Sequence, residues 1–544
     1  MTILRSLVLA WCGLGAATLA ASLPVVRDDC RNGEFQFSVR LNNAGVDGNP
    51  AHDYTAYLWI PPTCQRLRGA IVTHENVGEQ AFIESPVIRA ACAACDLAIV
   101  WTCPALDLKF QEHREAAVQQ QEHVLEELGR ISGYDELGQV PWITFGHSNT
   151  IIYARNAAEA RPDRVLAVIS AKGGISFPPA GSYAGPCLFT AGEFPEWRQP
   201  THDWTTNGMA LEGLKKIRAA QAGNFRPYSY VEEYGGGHFD YSEPYLKFLA
   251  LYIEKAVQFR LNPDGTVRPI GPGEGYVVDL RPPLPQSPMT IAPVAGAPAA
   301  LRDGIWFFDR ELAEAAVALM NVNWLRKNQI VAFANLDGTP ATFSKSGIVD
   351  PVPMEMAPDG VTIQRIETTF LEKLPANFTQ AGMVFGHAGD GERTLERVSG
   401  VFAIEDGKYR IKLNRGYPDT PNFIAVRHPG DAAYRPSVQP GRLVVPDYGG
   451  RAQRLAFEAV PDQTVGVKSI PLHATSNAGL KPEFFVRVGP AKIAGDDLVF
   501  LPLPPRARFP VTVTVVAWQL GHGGTDPVSA APLVEQSFRL EARP

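Results

Sequence analysis

Pro141-Trp142-Ile143-Thr144-Phe145-Gly146-His147-Ser148-Asn149-Thr150 is the stretch on which the reading of this chain turns. Its first half is aromatic and β-branched and reads as a short buried strand. A helix follows through Ala160. Gly146-His147-Ser148 therefore fills the junction between the two. A G-x-S-x-G run at such a junction sets a serine on a sharp turn, with its hydroxyl above the sheet. Gly146, two residues before the serine, lets the chain turn without a clash. Backbone N–H groups at the helix start can face an oxyanion. The last position departs from the pattern: Thr150 stands where glycine would allow close strand–helix packing. A bare G-x-S match means little in a chain with 49 glycines, so the flanking strand and helix give it its weight. The plainer alternative is a serine N-cap on an ordinary helix.

Outward from this motif, strands and helices alternate from about residue 35 to 258. Phe35–Leu41 and Thr55–Ile60 read as an opening pair of strands. Gly69–His74, Leu97–Cys103, Val165–Ser170, Cys187–Ala191 and Ser229–Glu233 read as further short strands. Helices are expected at Ser85–Cys95, Glu112–Ile131, about 207–221 and about 242–258. Short apolar strands between helices imply a mostly parallel sheet covered on both faces, an α/β fold class.

A serine hydroxyl needs a base to become nucleophilic. Among 11 histidines, His238 stands out in Tyr234-Gly235-Gly236-Gly237-His238-Phe239, after the last strand of the series. The glycines are read as a loop that reaches over the sheet edge. His147 points away from the serine on the turn and helps to hold it. A carboxylate should orient the imidazole. The segment after Cys187–Ala191 offers Glu196, with Glu193 the alternative and Asp203 a distant third.

Residues 35–258 resemble the α/β-hydrolase superfamily, and particularly its secreted esterases. The resemblance rests on Ser148 in its turn, His238 after the last strand and an acid between them, the order this superfamily uses. It implies an α/β-hydrolase domain that cleaves esters through Ser148, His238 and Glu196. It also implies an oxyanion donor in the loop His74-Glu75-Asn76-Val77-Gly78, where Glu75 departs from the usual glycine. The backbone N–H groups of Asn76 and Asn149 are the expected donors.

Near residue 262 the character changes. Residues 263–300 are rich in proline and glycine and read as a connector. One helix, Arg310–Leu325, is followed by strand-like segments with turn residues between them, the mark of a sandwich or other antiparallel β fold. The expected units are a catalytic domain at 30–262, a mostly β region at 301–460 and an immunoglobulin-like β-sandwich at 461–544. The 544 residues exceed one ordinary core, in keeping with several units. A net charge of −7 offers no basic footprint for nucleic acid. No phosphate-binding loop, dinucleotide fingerprint or zinc-like cluster occurs, so neither cofactor nor metal is expected.

The N-terminus, with Arg5 before the apolar run Leu7–Ala21, has the pattern of a signal peptide (1–21), cut near Ala20 to Ser22. A secreted or periplasmic enzyme, without a membrane span in the mature chain, is the expectation. Six cysteines then remain: Cys30, Cys64, Cys92, Cys95, Cys103 and Cys187. Export favours disulfides, and structural bridges or buried thiols are preferred to a redox motif. Tyr183, Phe194, Trp197 and Trp204 near the acid suit sugar rings or aromatic acyl groups, or simply pack. Together these features point to small-molecule or polysaccharide esters as substrates. The rivals are an exported peptidase of the same fold and a binding protein with an inactive hydrolase fold.

Overall fold

The computed structural model describes residues 34–42, 53–105, 114–173, 183–194, 225–279, 289–301, 304–344, 347–374, 384–389 and 391–543, with Ile217, Ala219 and Gly382. The leader-like segment, Cys30 and most of the helix expected at 207–221 lie outside them.

The first half is built on eight strands: β1 (Phe37–Asn42), β2 (Asp53–Trp59), β3 (Gly69–His74), β4 (Leu97–Cys103), β5 (Trp142–His147), β6 (Val165–Ala171), β7 (Cys187–Phe194) and β8 (Tyr228–Gly237). They form one sheet in the order β1-β2-β4-β3-β5-β6-β7-β8. β2 pairs antiparallel with both β1 and β4. From β4 to β8 every pairing is parallel. β3, β4, β5 and β6 are buried at every residue. Such strands have no wet face, which is why they read as continuous apolar runs rather than as alternating ones.

Among the described residues the helices are α1 (Glu79–Ile83), α2 (Pro86–Ala94), α3 (Arg114–Ser132), α4 (Ile151–Ala160), α5 (Glu243–Arg260) and, in the second half, α6 (Arg310–Asn321). α2 starts with Pro86, whose missing N–H costs nothing in the first turn. The Ser242 side chain caps α5 by accepting the Tyr245 N–H. This is the α/β-hydrolase fold. Its strand order reverses between β3 and β5, so the loops leaving their carboxyl ends part and open a crevice. The loop beginning at His74 and the turn at Ser148 lie on the two sides of that crevice.

The second half consists of small sheets. Tyr276–Val278 pairs antiparallel with Ile291–Pro293 and with Ile305–Phe307. Parts of the expected connector are therefore folded, and Ile305–Phe307 lies against β8 with the Ser229 hydroxyl donating to Trp306 O at 2.7 Å. Residues 331–442 carry antiparallel sheets, among them Thr394–Ser399, Phe423–His428 and Ser437–Arg442 side by side. Residues 463–541 form a four-stranded and a three-stranded sheet. Val513, Val515 and Phe538 of this last region belong to one continuous core with Tyr57, Trp101 and Ile143 of the first sheet.

Of the two readings of the cysteines, bridges or buried thiols, the five described ones take the second, and the expected disulfides are absent among the described residues. Cys64, Cys92, Cys95, Cys103 and Cys187 are all free and buried. Each sits in the core as a small apolar side chain. Burial pushes their thiols up, those of Cys64 and Cys95 to about 12, so they stay protonated.

Candidate active site

β5 ends at His147, and Ser148 takes φ = +54°, a left-handed conformation uncommon outside glycine. A short 3-10 turn, Ser148–Thr150, then runs directly into α4. Strain held at one residue on the lip of a crevice is the usual mark of a site where a side chain has to project. Ser148 is half-buried and Asn149 exposed. Gly146 is demanded by space: a Cβ there would lie 2.5 Å from the Ile151 nitrogen and from the Thr150 carbonyl carbon and oxygen.

Thr150, the departure from the glycine pattern, is fully buried and bonded. Its Oγ1 accepts the His147 N–H at 2.9 Å, lies 2.8 Å from His147 O and meets the carboxylate of Glu79. Glu79 opens α1 and is itself fully buried. Its Oε1 also accepts the His147 N–H at 3.1 Å. Its Oε2 accepts the Asn76 N–H at 2.8 Å and the Val77 N–H at 3.1 Å. The Asn76 backbone N–H, expected as an oxyanion donor, is therefore turned onto Glu79. The part of Asn76 that reaches the turn is its side-chain amide, Nδ2 lying 3.4 Å from His147 O. The neighbouring Glu75 is also buried, and its Oε2 accepts the Trp101 indole N–H at 2.9 Å. Burial raises both carboxyls, and Glu75 goes well above the ordinary range with Glu79 beside it.

β8 runs through Gly235, Gly236 and Gly237, so the glycines expected to form a loop are strand. His238 is the first residue beyond it and is 3% exposed. The His147 ring joins the turn after β5 to the turn after β8: its Nε2 lies 2.8 Å from the His238 carbonyl, and the two rings are 5.0 Å apart between centroids. Burial lowers the His147 imidazole well below its ordinary value, so it is neutral and its Nε2–H donates. Gly78 permits this packing, since a Cβ there would meet the His147 ring at 2.7 Å.

The turn after His238 is held from two sides. Lys172, at the end of β6 and 2% exposed, donates to Gly237 O at 2.7 Å and Asp240 O at 2.5 Å. It also sits 3.2 Å from Glu233 of β8. From the second half of the chain, Arg427 pairs with the Asp240 carboxylate, and Phe423 stacks on Phe239 with centroids 5.2 Å apart.

Of the acid candidates, Glu193 is committed elsewhere. Its Oε2 accepts the Gly235 N–H at 2.8 Å, and its Oε1 pairs with Arg435 of the second half. Its position at the end of β7 turns it to the β8 backbone, which argues against the alternative acid. Glu196 and Asp203 lie outside the described residues, as do Trp197 and Trp204. Tyr183 is buried in the core, its hydroxyl 3.3 Å from Pro186 O, so it packs. A cavity of about 480 Å³ beside α1, between Gln80, Glu84, Arg397 and Arg415, is lined by neither Ser148 nor His238. Among the described residues no group of three His, Cys, Asp or Glu side chains is placed to hold a metal, and no helix is long and apolar enough to cross a membrane.

Glu79, Lys172 and Arg427 had no signal in the sequence. Each is a single charged residue whose partners lie far along the chain.

No family model and no curated protein sequence matches this chain. Solved structures match its first half at low identity. A dienelactone hydrolase from Anabaena variabilis is 15% identical over 43% of this chain and 98% of its own, with a TM-score of 0.28. LpqC, a poly(3-hydroxybutyrate) depolymerase from Bordetella parapertussis, is 15% identical over 43% and 92%, with a TM-score of 0.28. An S-formylglutathione hydrolase from Agrobacterium tumefaciens is 10% identical over 41% and 92%, with a TM-score of 0.28.

Proposed function

We propose that this protein is a serine hydrolase that cleaves carboxylic esters, with Ser148 as nucleophile, His238 as base and Glu196 as the carboxylate that orients the imidazole. One observation carries the reading: Ser148 sits at φ = +54° at the end of a central parallel strand, with the histidine turn tied to its neighbour His147. In the first step Ser148 Oγ attacks the ester carbonyl carbon while His238 takes the hydroxyl proton. The oxyanion is met by the Asn149 N–H, with the Asn76 side-chain amide on the facing loop. Collapse expels the alkoxide, which takes that proton from His238 and leaves as the alcohol. Water, deprotonated by His238, then attacks the acyl-serine. The carboxylate leaves, and Ser148 recovers its proton.

The leader-like N-terminus supports export. The appended β sheets support a polysaccharide-linked ester as substrate, and p-nitrophenyl acetate is the simplest probe of the chemistry. Ser148→Ala and His238→Ala are expected to lower kcat by several orders of magnitude while the thermal transition stays in place. A fluorophosphonate should label Ser148 in the intact protein. Folded wild-type protein that neither takes the label nor turns over an ester would overturn the reading in favour of an inactive hydrolase fold. Faster turnover of a peptide anilide than of the acetate would favour the peptidase.

A further inference from the structure

We infer that Glu79 is a positioning residue that, with Thr150, sets the distance between the two walls of the active-site crevice. The inference rests on the serine-hydrolase reading of Ser148. A carboxylate buried at 0% exposure is disfavoured unless donors surround it. Here the donors come from both sides of the crevice. Oε2 takes two N–H groups of the loop after β3, and Oε1 takes the His147 N–H and the Thr150 hydroxyl. One side chain thus bridges the loop that carries Asn76 to the turn that carries Ser148 and Asn149.

Thr150 is the matching half of the device. With glycine at this place, the turn would offer Glu79 only the His147 N–H. The threonine hydroxyl adds a second contact, and it receives the His147 N–H as well. The departure from the glycine pattern therefore coincides with a buried acid that makes use of it. The clamp also decides which part of Asn76 faces the substrate: the backbone N–H is withdrawn and the side-chain amide stays at the turn, 3.4 Å from His147 O. A shift of about 1 Å between the walls would misplace the oxyanion donors, which typically costs about a hundredfold in rate. Ground-state binding is expected to change little.

The test uses the full-length protein with p-nitrophenyl acetate, and four variants: Glu79→Gln, Thr150→Val, their combination, and Thr150→Ser. Glutamine replaces one acceptor oxygen by an NH₂ group that cannot accept, so the backbone N–H groups of one wall lose their acceptor. Valine keeps the shape of threonine and removes the hydroxyl. Each single variant is expected to lose roughly 10- to 100-fold in kcat with KM within about threefold. The double variant should fall little further than the worse single one, because both cut the same link. Serine keeps the hydroxyl and should hold kcat within about threefold of wild type. Amide hydrogen exchange at Asn76 and Val77 is expected to quicken in Glu79→Gln. A lowered melting temperature with unchanged kcat would reduce Glu79 to a structural residue and overturn the inference. Additive losses in the double variant would do the same. Neither result touches the nucleophile, which is tested separately by fluorophosphonate labelling. A wild type without label or turnover would remove both readings at once.

Discussion

Glu75 and Glu79 are two buried carboxylates in one short loop, and their surroundings differ. Glu79 has donors on both oxygens, whereas Glu75 has the Trp101 indole on one oxygen and, among the described residues, no hydrogen-bond partner on the other. Its carboxyl is therefore raised well above the ordinary value, first by burial and then by Glu79. The folded state holds this proton more tightly than the unfolded chain. Folding thus takes up a proton between the unfolded value, about 4.3, and the raised one. Stability consequently falls as pH rises through that window. Glu75→Gln keeps an oxygen for Trp101 and removes the titration. The variant should match wild type near pH 4 and exceed it in stability at pH 8. Denaturant unfolding at both values checks this, and an equal difference at both would refute it. At Gly146 the constraint is steric: Gly146→Ala places a methyl 2.5 Å from backbone atoms that cannot yield. Overpacking of that kind typically costs about 1–3 kcal/mol, and here it should also abolish fluorophosphonate labelling. A labelled, fully stable Gly146→Ala protein would contradict the geometry of the turn.

At the level of elements, the histidine turn is held by charges buried on both of its sides. Lys172 supplies three contacts from beneath, and removing one partner of a buried pair costs about 3–5 kcal/mol. Lys172→Met is expected to destabilise by about that amount, and adding Glu233→Gln should recover part of it by removing the orphaned carboxylate. Thermal unfolding of the two variants measures the difference. Arg427→Ala should loosen the turn from the other side and lower kcat at least about tenfold, since it strands Asp240 beside His238. Unaltered kcat would show that the second half merely covers the turn. The central strands β3, β4 and β6 were legible because a parallel strand buried on both faces writes itself as a short run of Val, Ile, Leu and aromatic residues. The end of β8 was not legible. Tyr234-Gly235-Gly236-Gly237 carries no such run, and it is strand because β7 continues to pair with it as far as Phe194 opposite Gly237.

Across the whole molecule, the two halves share one hydrophobic cluster. Trp306, Phe307 and Phe308 are buried with the first-half core, and Phe308 packs on Tyr252 and Phe259 of α5. The ion pair Arg506–Glu136 joins the last region to the first, and Arg415–Glu34 joins the middle region to it. A chain ending at residue 262 would expose this apolar surface, so it should aggregate or lack a cooperative transition. The full-length protein should melt in a single step. A soluble, cooperatively folding fragment with wild-type esterase activity would show that the second half is dispensable.

The amino-acid sequence alone determined the succession of strands and helices, the serine on its turn and the histidine after the last strand. Each of these is written in hydrophobic pattern and turn chemistry within about a dozen neighbouring residues. Tertiary structure alone decided the partners of the polar groups. Thr150 finds Glu79 across 71 positions, and Arg435 takes Glu193 across 242. The five described cysteines, which export would favour pairing, became separate core residues. A hydrogen bond or ion pair forms between whichever groups the fold brings within about 3 Å, and no local pattern encodes which groups those are.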